Sequence, residues 1–155
     1  MRNFLVCVAA FFGFAAFAAS PGWLASFEQA QKFAEKSKRP ILINFTGSDW
    51  CGWCKRMHRE TLSTKEFIHF ASSNLLLVEL DFPNSIPQSA ELKRANAAVK
   101  DQFRVTGFPT YVLVGADGKE LGRQVGYLKG GAPAMTAMIE KWMGRTAKAP
   151  PAAAP

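Results

Sequence analysis

Three short apolar runs, Ile41 to Phe45, Leu75 to Leu80 and Thr110 to Val114, are separated by segments whose apolar residues recur at helical spacing. Strands this apolar need cover on both faces, and helices between them can supply it. Ahead of the first run, Trp23, Leu24, Phe27, Ala30 and Ala34 predict a helix from Trp23 to about Lys36, which Pro40 ends. Thr46-Gly47-Ser48-Asp49 is turn chemistry, and a helix is expected from Cys51 through Met57. Ser63-Thr64-Lys65-Glu66 has the pattern of a capping box ahead of Phe67, Ile68 and Phe70. Pro83 and Pro87 make Asp81 to Gln88 a loop, and Leu92, Ala95, Val99 and Phe103 mark one face of the next helix. Ala116-Asp117-Gly118 turns the chain into a fourth strand, from about Lys119 to Val125. Pro133 opens a last helix with a core stripe of Met135, Met138, Ile139, Trp142 and Met143, which Gly144 ends. The pattern predicts an α/β fold: a central mixed sheet of about four to five strands, flanked by helices on both faces.

The chain has 155 residues, enough for one core. Arg2, the apolar run from Phe4 to Phe17 and the small residues Ala15, Ala16, Ala18 and Ala19 fit a secretory signal peptide over residues 1–19, cut after Ala18 or Ala19. The alternative is an uncleaved membrane anchor, although the run is shorter than the ~20 apolar residues that span a bilayer comfortably. Residues 20–145 are then the folded domain, and the Ala/Pro-rich residues 146–155 are expected to be a disordered tail. The net charge of +7 comes from Lys and Arg scattered along the chain. The denser groups are Lys36-Ser37-Lys38-Arg39, at an expected helix end, and Lys55, Arg56, His58 and Arg59. No nucleic-acid-binding motif accompanies this charge, so nucleic acid is not an expected partner.

Cys7 lies in the expected signal segment, which leaves Cys51 and Cys54 in the mature chain. A staple across so short a loop constrains almost nothing in the unfolded chain, so a redox or a metal role remains. Structural zinc takes four protein ligands; the mature chain has no other cysteine, and His58 and His69 are not spaced as a ligand pair. Two cysteines at this spacing at a helix start can close a disulfide with little movement. Backbone N–H groups and the helix dipole favour a thiolate on the first of them, by about one pKa unit. Cys51 is therefore expected to be the nucleophile, at an exposed helix tip, and Cys54, a turn later and deeper, the resolving thiol.

Phe45-Thr46-Gly47-Ser48-Asp49-Trp50-Cys51-Gly52-Trp53-Cys54-Lys55 resembles the active-site segment of the thioredoxin superfamily, and Thr106-Gly107-Phe108-Pro109-Thr110 resembles its second signature, a cis proline facing the cysteines. The resemblance spans about Trp23 to Met143 and is nearest to small periplasmic reductases of that superfamily. It implies the thioredoxin fold, catalysis by Cys51 and Cys54, and no cofactor beyond their redox-active disulfide. It also implies a substrate groove shaped by Pro109, with the neighbouring backbone turned outward to pair with an extended substrate. One departure is Asn44, which stands where many thioredoxins carry a buried acid. Asn cannot titrate, so proton transfer to Cys54 must use water or another group.

Trp50, Gly52, Trp53 and Phe108 complete the expected substrate-binding rim, with packing of Trp50 on the domain as its alternative. Lys55 either favours the thiolate or is solvated. His58 stands two helical turns beyond Cys51 and is not expected to exchange protons with it. Asp49 and Glu79 are acids near the motif, read as surface or strand-end residues. The expected function is dithiol–disulfide exchange with protein disulfides outside the cytoplasm by a monomer. No His stands between the cysteines, as it does in the common oxidants, and this together with the resemblance favours a reductase. A reductase there needs a membrane-embedded electron donor. The alternatives are a non-catalytic client-binding module and a copper or metal chaperone using the two cysteines.

Overall fold

Five strands form one mixed sheet in a computed structural model of the chain, which describes residues 22–145. The expected signal segment, Cys7 and the tail at 146–155 lie outside the described residues. In chain order the elements are β1 (Trp23–Leu24), α1 (Phe27–Ser37), β2 (Ile41–Thr46), α2 (Gly52–Met57), α3 (Lys65–Asn74), β3 (Leu76–Asp81), α4 (Ala90–Gln102), β4 (Thr110–Val114), β5 (Glu120–Val125) and α5 (Gly131–Trp142). A π-helical turn, His58–Leu62, continues α2. The spatial order is β1-β3-β2-β4-β5. β1 and β2 run parallel to β3, while β4 runs antiparallel to both β2 and β5.

Alternate residues of the central strands feed two cores. On one face Leu42, Leu77, Tyr111 and Leu113 pack with Met57, Leu62, Phe67 and Ala71 and with Met135 and Ile139 of α5. On the other, Ile43, Phe45, Val78, Leu80 and Val112 pack with Phe27, Ala30 and Ala34 of α1 and with Phe103. The expected mixed sheet with helices on both faces is therefore the observed one. Met138, Trp142 and Met143 pack at the margin of the first core, as the apolar stripe predicts.

Three expectations need correction. Trp23 and Leu24 are not the first turn of α1 but an edge strand, in register with Leu77 and Val78. The helix starts after Ser26, whose hydroxyl accepts from the Gln29 N–H. In α4, Ala95 is exposed and Asn96 is buried instead, its amide donating to the Asp81 carbonyl at 3.0 Å. The α5 helix begins two residues before Pro133, after Gly130 at φ 108°. Pro133 thus falls in the first turn, where a missing N–H costs nothing.

Candidate active site

The segment that carries the cysteines leaves the end of β2 and is fastened, residue by residue, to the chain that leaves β3. The Phe82 N–H donates to the Thr46 carbonyl at 2.8 Å. Ser48 donates to the Asp81 carboxylate through its N–H (2.8 Å) and its hydroxyl (2.6 Å). The Asp49 carboxylate accepts the backbone N–H groups of Asn84, Ser85 and Ile86 at 2.6–3.3 Å. These bonds, led by the one from Ser85, hold its carboxyl below the usual carboxylate range. The Trp50 Nε1–H then donates to the Phe82 carbonyl at 2.8 Å. Gly47 is required here, because a Cβ at that position would overlap the Trp50 indole. Asp49 is therefore a loop clamp rather than an ordinary surface acid.

Cys51 caps α2. Its N–H donates to the Gly47 carbonyl at 2.9 Å, and its sulfur accepts the Cys54 N–H at 3.1 Å. The two cysteines form a disulfide, with Cα atoms 5.2 Å apart. The expectation of an exposed Cys51 sulfur is corrected in this oxidised state, where Cys51 is 5% and Cys54 4% exposed. The two sulfurs are bonded to each other, and Cys51 Sγ accepts the Cys54 N–H at its own helix start. The rim above them is open: a Cβ on Gly52 would meet nothing within 4 Å, and Trp50 and Trp53 are 45% and 54% exposed.

The rim has two aromatic sides. Trp50 meets Phe108 edge-to-face at 5.7 Å, and Phe108 leans on Phe82 at 5.3 Å. The Phe108–Pro109 bond is cis, as the resemblance implies. Pro109 is buried, and its carbonyl accepts the Gly126 N–H at 2.8 Å, so it offers no pairing group. The Phe108 backbone makes no hydrogen bond among the described residues. On the opposite side Trp53 lies 5.2 Å from Tyr127, and the Arg56 guanidinium sits over both rings. Arg56 and the Tyr127 hydroxyl both donate to the Glu60 carboxylate, at 3.0 and 2.8 Å. They hold the Glu60 carboxyl below its ordinary value, the Tyr127 bond first.

Behind Cys54 is a cavity of about 290 Å³, lined by Asn44, Thr46, Ser48, Lys55, His58 and Glu79. Asn44 Nδ2 donates to Glu79 Oε2 at 3.2 Å. Burial is the main influence on Glu79 and raises its carboxyl above the ordinary range. Glu79 is therefore neither a surface nor a strand-end residue. Lys55 does not reach for the sulfurs; its Nζ donates to the Asp49 carbonyl at 2.7 Å. Measured from Cys54 rather than Cys51, His58 is one turn away, which brings it to the same cavity.

The two signatures of the sequence thus come together through Trp50 and Phe108. Sequence reasoning missed Tyr127, Glu60, Phe82 and the place of Glu79. A lone aromatic in the Gly126-Tyr127-Leu128 turn is the only local sign of the Tyr127 wall.

Fold, dithiol turn and cis proline together define a thioredoxin-like thiol–disulfide oxidoreductase. Residues 27–142 match the family model of a thioredoxin-like domain, and the chain belongs to that family. It is 40% identical over 115 residues to the disulfide bond reductase DsbH of Chlamydia pneumoniae, covering 74% of this chain and 69% of that protein. A solved structure of a DsbH oxidoreductase matches with a TM-score of 0.73 at 35% identity, covering 85% of this chain and 94% of that one. The reduced C-terminal domain of Neisseria meningitidis DsbD shares the fold, with a TM-score of 0.58 at 19% identity over 74% of this chain and 90% of that one.

Proposed function

We propose that the chain is an exported protein-disulfide reductase in which Cys51 attacks and Cys54 resolves. The observation that carries this reading is the Cys54 N–H pointing at Cys51 Sγ, 3.1 Å away at a helix start. A hydrogen bond and a helix N-terminus both favour negative charge on that sulfur once the disulfide is reduced. The Cys51 thiolate attacks a client disulfide, forming a Cys51–client bond and releasing one client thiolate. The Cys54 thiolate then attacks Cys51 Sγ, closing the Cys51–Cys54 disulfide and releasing the second client thiolate. Two electrons pass from the dithiol to the client.

In this reading Trp50, Gly52, Trp53 and Phe108 form the client-binding rim, and buried Pro109 shapes it from below. The bare Phe108 backbone offers an N–H and a carbonyl to an extended client. The membrane-embedded donor that restores the dithiol would approach the same rim. Kinship with a disulfide bond reductase supports the reducing direction, and the basic, apolar N-terminus supports export. The metal-chaperone alternative would use Cys51 and Cys54 alone, and stoichiometric copper on the purified full chain would favour it.

The test is reduction of insulin by the full chain with dithiothreitol as electron source. The wild type accelerates it and Cys51→Ser does not; full activity in Cys51→Ser would refute the mechanism. Equilibration with glutathione buffers settles the direction, and a strongly oxidising potential would overturn the reductase reading.

A further inference from the structure

Glu79, Asn44 and Tyr111 stand in one row across β3, β2 and β4, because Asn44 is in register with Glu79 on one side and Tyr111 on the other. The row lies on the sheet face that α2 covers, since Leu42, Leu77 and Leu113, two residues away along each strand, belong to that core. A polar row beneath a redox helix needs an explanation, because buried polar groups are costly unless they are paired. Asn44 Oδ1 and the Tyr111 hydroxyl are buried with no partner among the described residues. Only the Asn44 amide is committed, to Glu79.

Resolution of the mixed disulfide requires Cys54 to lose a proton, and Cys54 opens onto the cavity beneath it. Asn44 and Tyr111 cannot take that proton near neutral pH; burial and the nearby Glu79 charge keep the Tyr111 phenol protonated. Lys55 is bound to the Asp49 carbonyl, and the Asp81 carboxylate is occupied by Ser48. His58 and Glu79 remain. Glu79 is the one whose carboxylate is held, through the amide of Asn44, on the strand beside the cavity.

We propose that Glu79 receives the Cys54 proton across this cavity, with Asn44 as the arm that keeps its carboxylate in place. The inference rests on the exchange reading above. Cys54–SH loses its proton to the Glu79 carboxylate, and its sulfur displaces the client sulfur from Cys51. The Cys51–Cys54 bond forms, the Cys51–client bond breaks, and the client thiolate takes up a proton from solvent or from protonated Glu79. Glu79 works across the cavity, so it is a positioning residue for the proton; the cavity has room for a relaying water. Burial is the main influence and raises its carboxyl above the ordinary carboxylate range, with the His58 charge and the Asn44 bond opposing the rise and the Asp81 charge adding to it.

The experiment is stopped-flow reaction of the reduced full chain with an aromatic disulfide reagent, 5,5′-dithiobis(2-nitrobenzoate). The first thiolate released reports attack by Cys51 and the second reports resolution by Cys54. Glu79→Gln should leave the first phase unchanged and slow the second about tenfold at pH 7. In the wild type the second phase should level off once Glu79 is ionised; in Glu79→Gln it should keep rising with pH until Cys54 itself titrates. Adding Asn44→Asp to Glu79→Gln, which returns a carboxylate to the same cavity, should restore most of the rate. A second phase unchanged in rate and pH profile, equal slowing of both phases, or greater slowing in His58→Gln than in Glu79→Gln would overturn the proposal. Absence of any first phase in the wild type would refute the exchange reading instead.

Discussion

The Trp50 indole meets the Phe108 ring edge-to-face at 5.7 Å, which joins the residue before Cys51 to the residue before Pro109. The two halves of the site are distant in sequence, one after β2 and the other before β4, and the antiparallel pairing of Phe45 with Thr110 brings them to the same end of the sheet. Their relative position depends on an aromatic contact and on the Trp50–Phe82 hydrogen bond.

Gly47→Ala tests that dependence, because the added methyl would strike the indole. Overpacking of this kind costs about 1–3 kcal/mol. Denaturant unfolding should show a loss in that range, and insulin reduction should slow severalfold with a shift in tryptophan fluorescence. Unchanged fluorescence and rate would mean that Trp50 does not position the rim.

The clamp by Asp49 should be sensitive to pH. Its carboxyl is held below the unfolded value of 3.8, so what it contributes is fully present above that pH. The contribution is lost as pH falls through the lower folded value. In Asp49→Asn, hydrogen exchange at the amides of Asn84, Ser85 and Ile86 should quicken about tenfold at neutral pH. The wild type should lose the same protection only in strong acid. Equal protection in both proteins at pH 7 would remove Asp49 from this role.

Trp53 is half open to solvent and is backed by Arg56 and Tyr127, an arrangement suited to a client anchor. Trp53→Ala should raise KM for a protein disulfide about fivefold or more, while reaction with a small aromatic disulfide stays near wild type. An equal loss on both substrates would place Trp53 in the chemistry rather than in recognition.

Much of this is legible in the sequence, and the remainder has physical reasons. The apolar runs at 41–45, 75–80 and 110–114 stand out because both faces of those strands are covered. A strand of two residues, Trp23–Leu24, has no period to read, and its spacing merges with that of α1. Asn96 hides in α4 because it looks like a surface residue until the Asp81 carbonyl is placed above it. In the site, Cys51, Cys54 and Pro109 follow from their motifs. Asp49 depends on backbone partners just beyond β3, 35 to 37 residues ahead, and Glu79 on Asn44 of β2, 35 residues back, and no local pattern reports such a pairing. Glu79 in particular reads as a strand-end charge until α2 is laid over it.

The order of attack by the two sulfurs is the central claim, and trapping tests it most directly. Reduced Cys54→Ser, mixed with a peptide disulfide, should accumulate a stable adduct that peptide mass mapping assigns to Cys51. Cys51→Ser should form little or none at the same pH. An adduct that forms faster on Cys54, or none on either variant, would contradict the account.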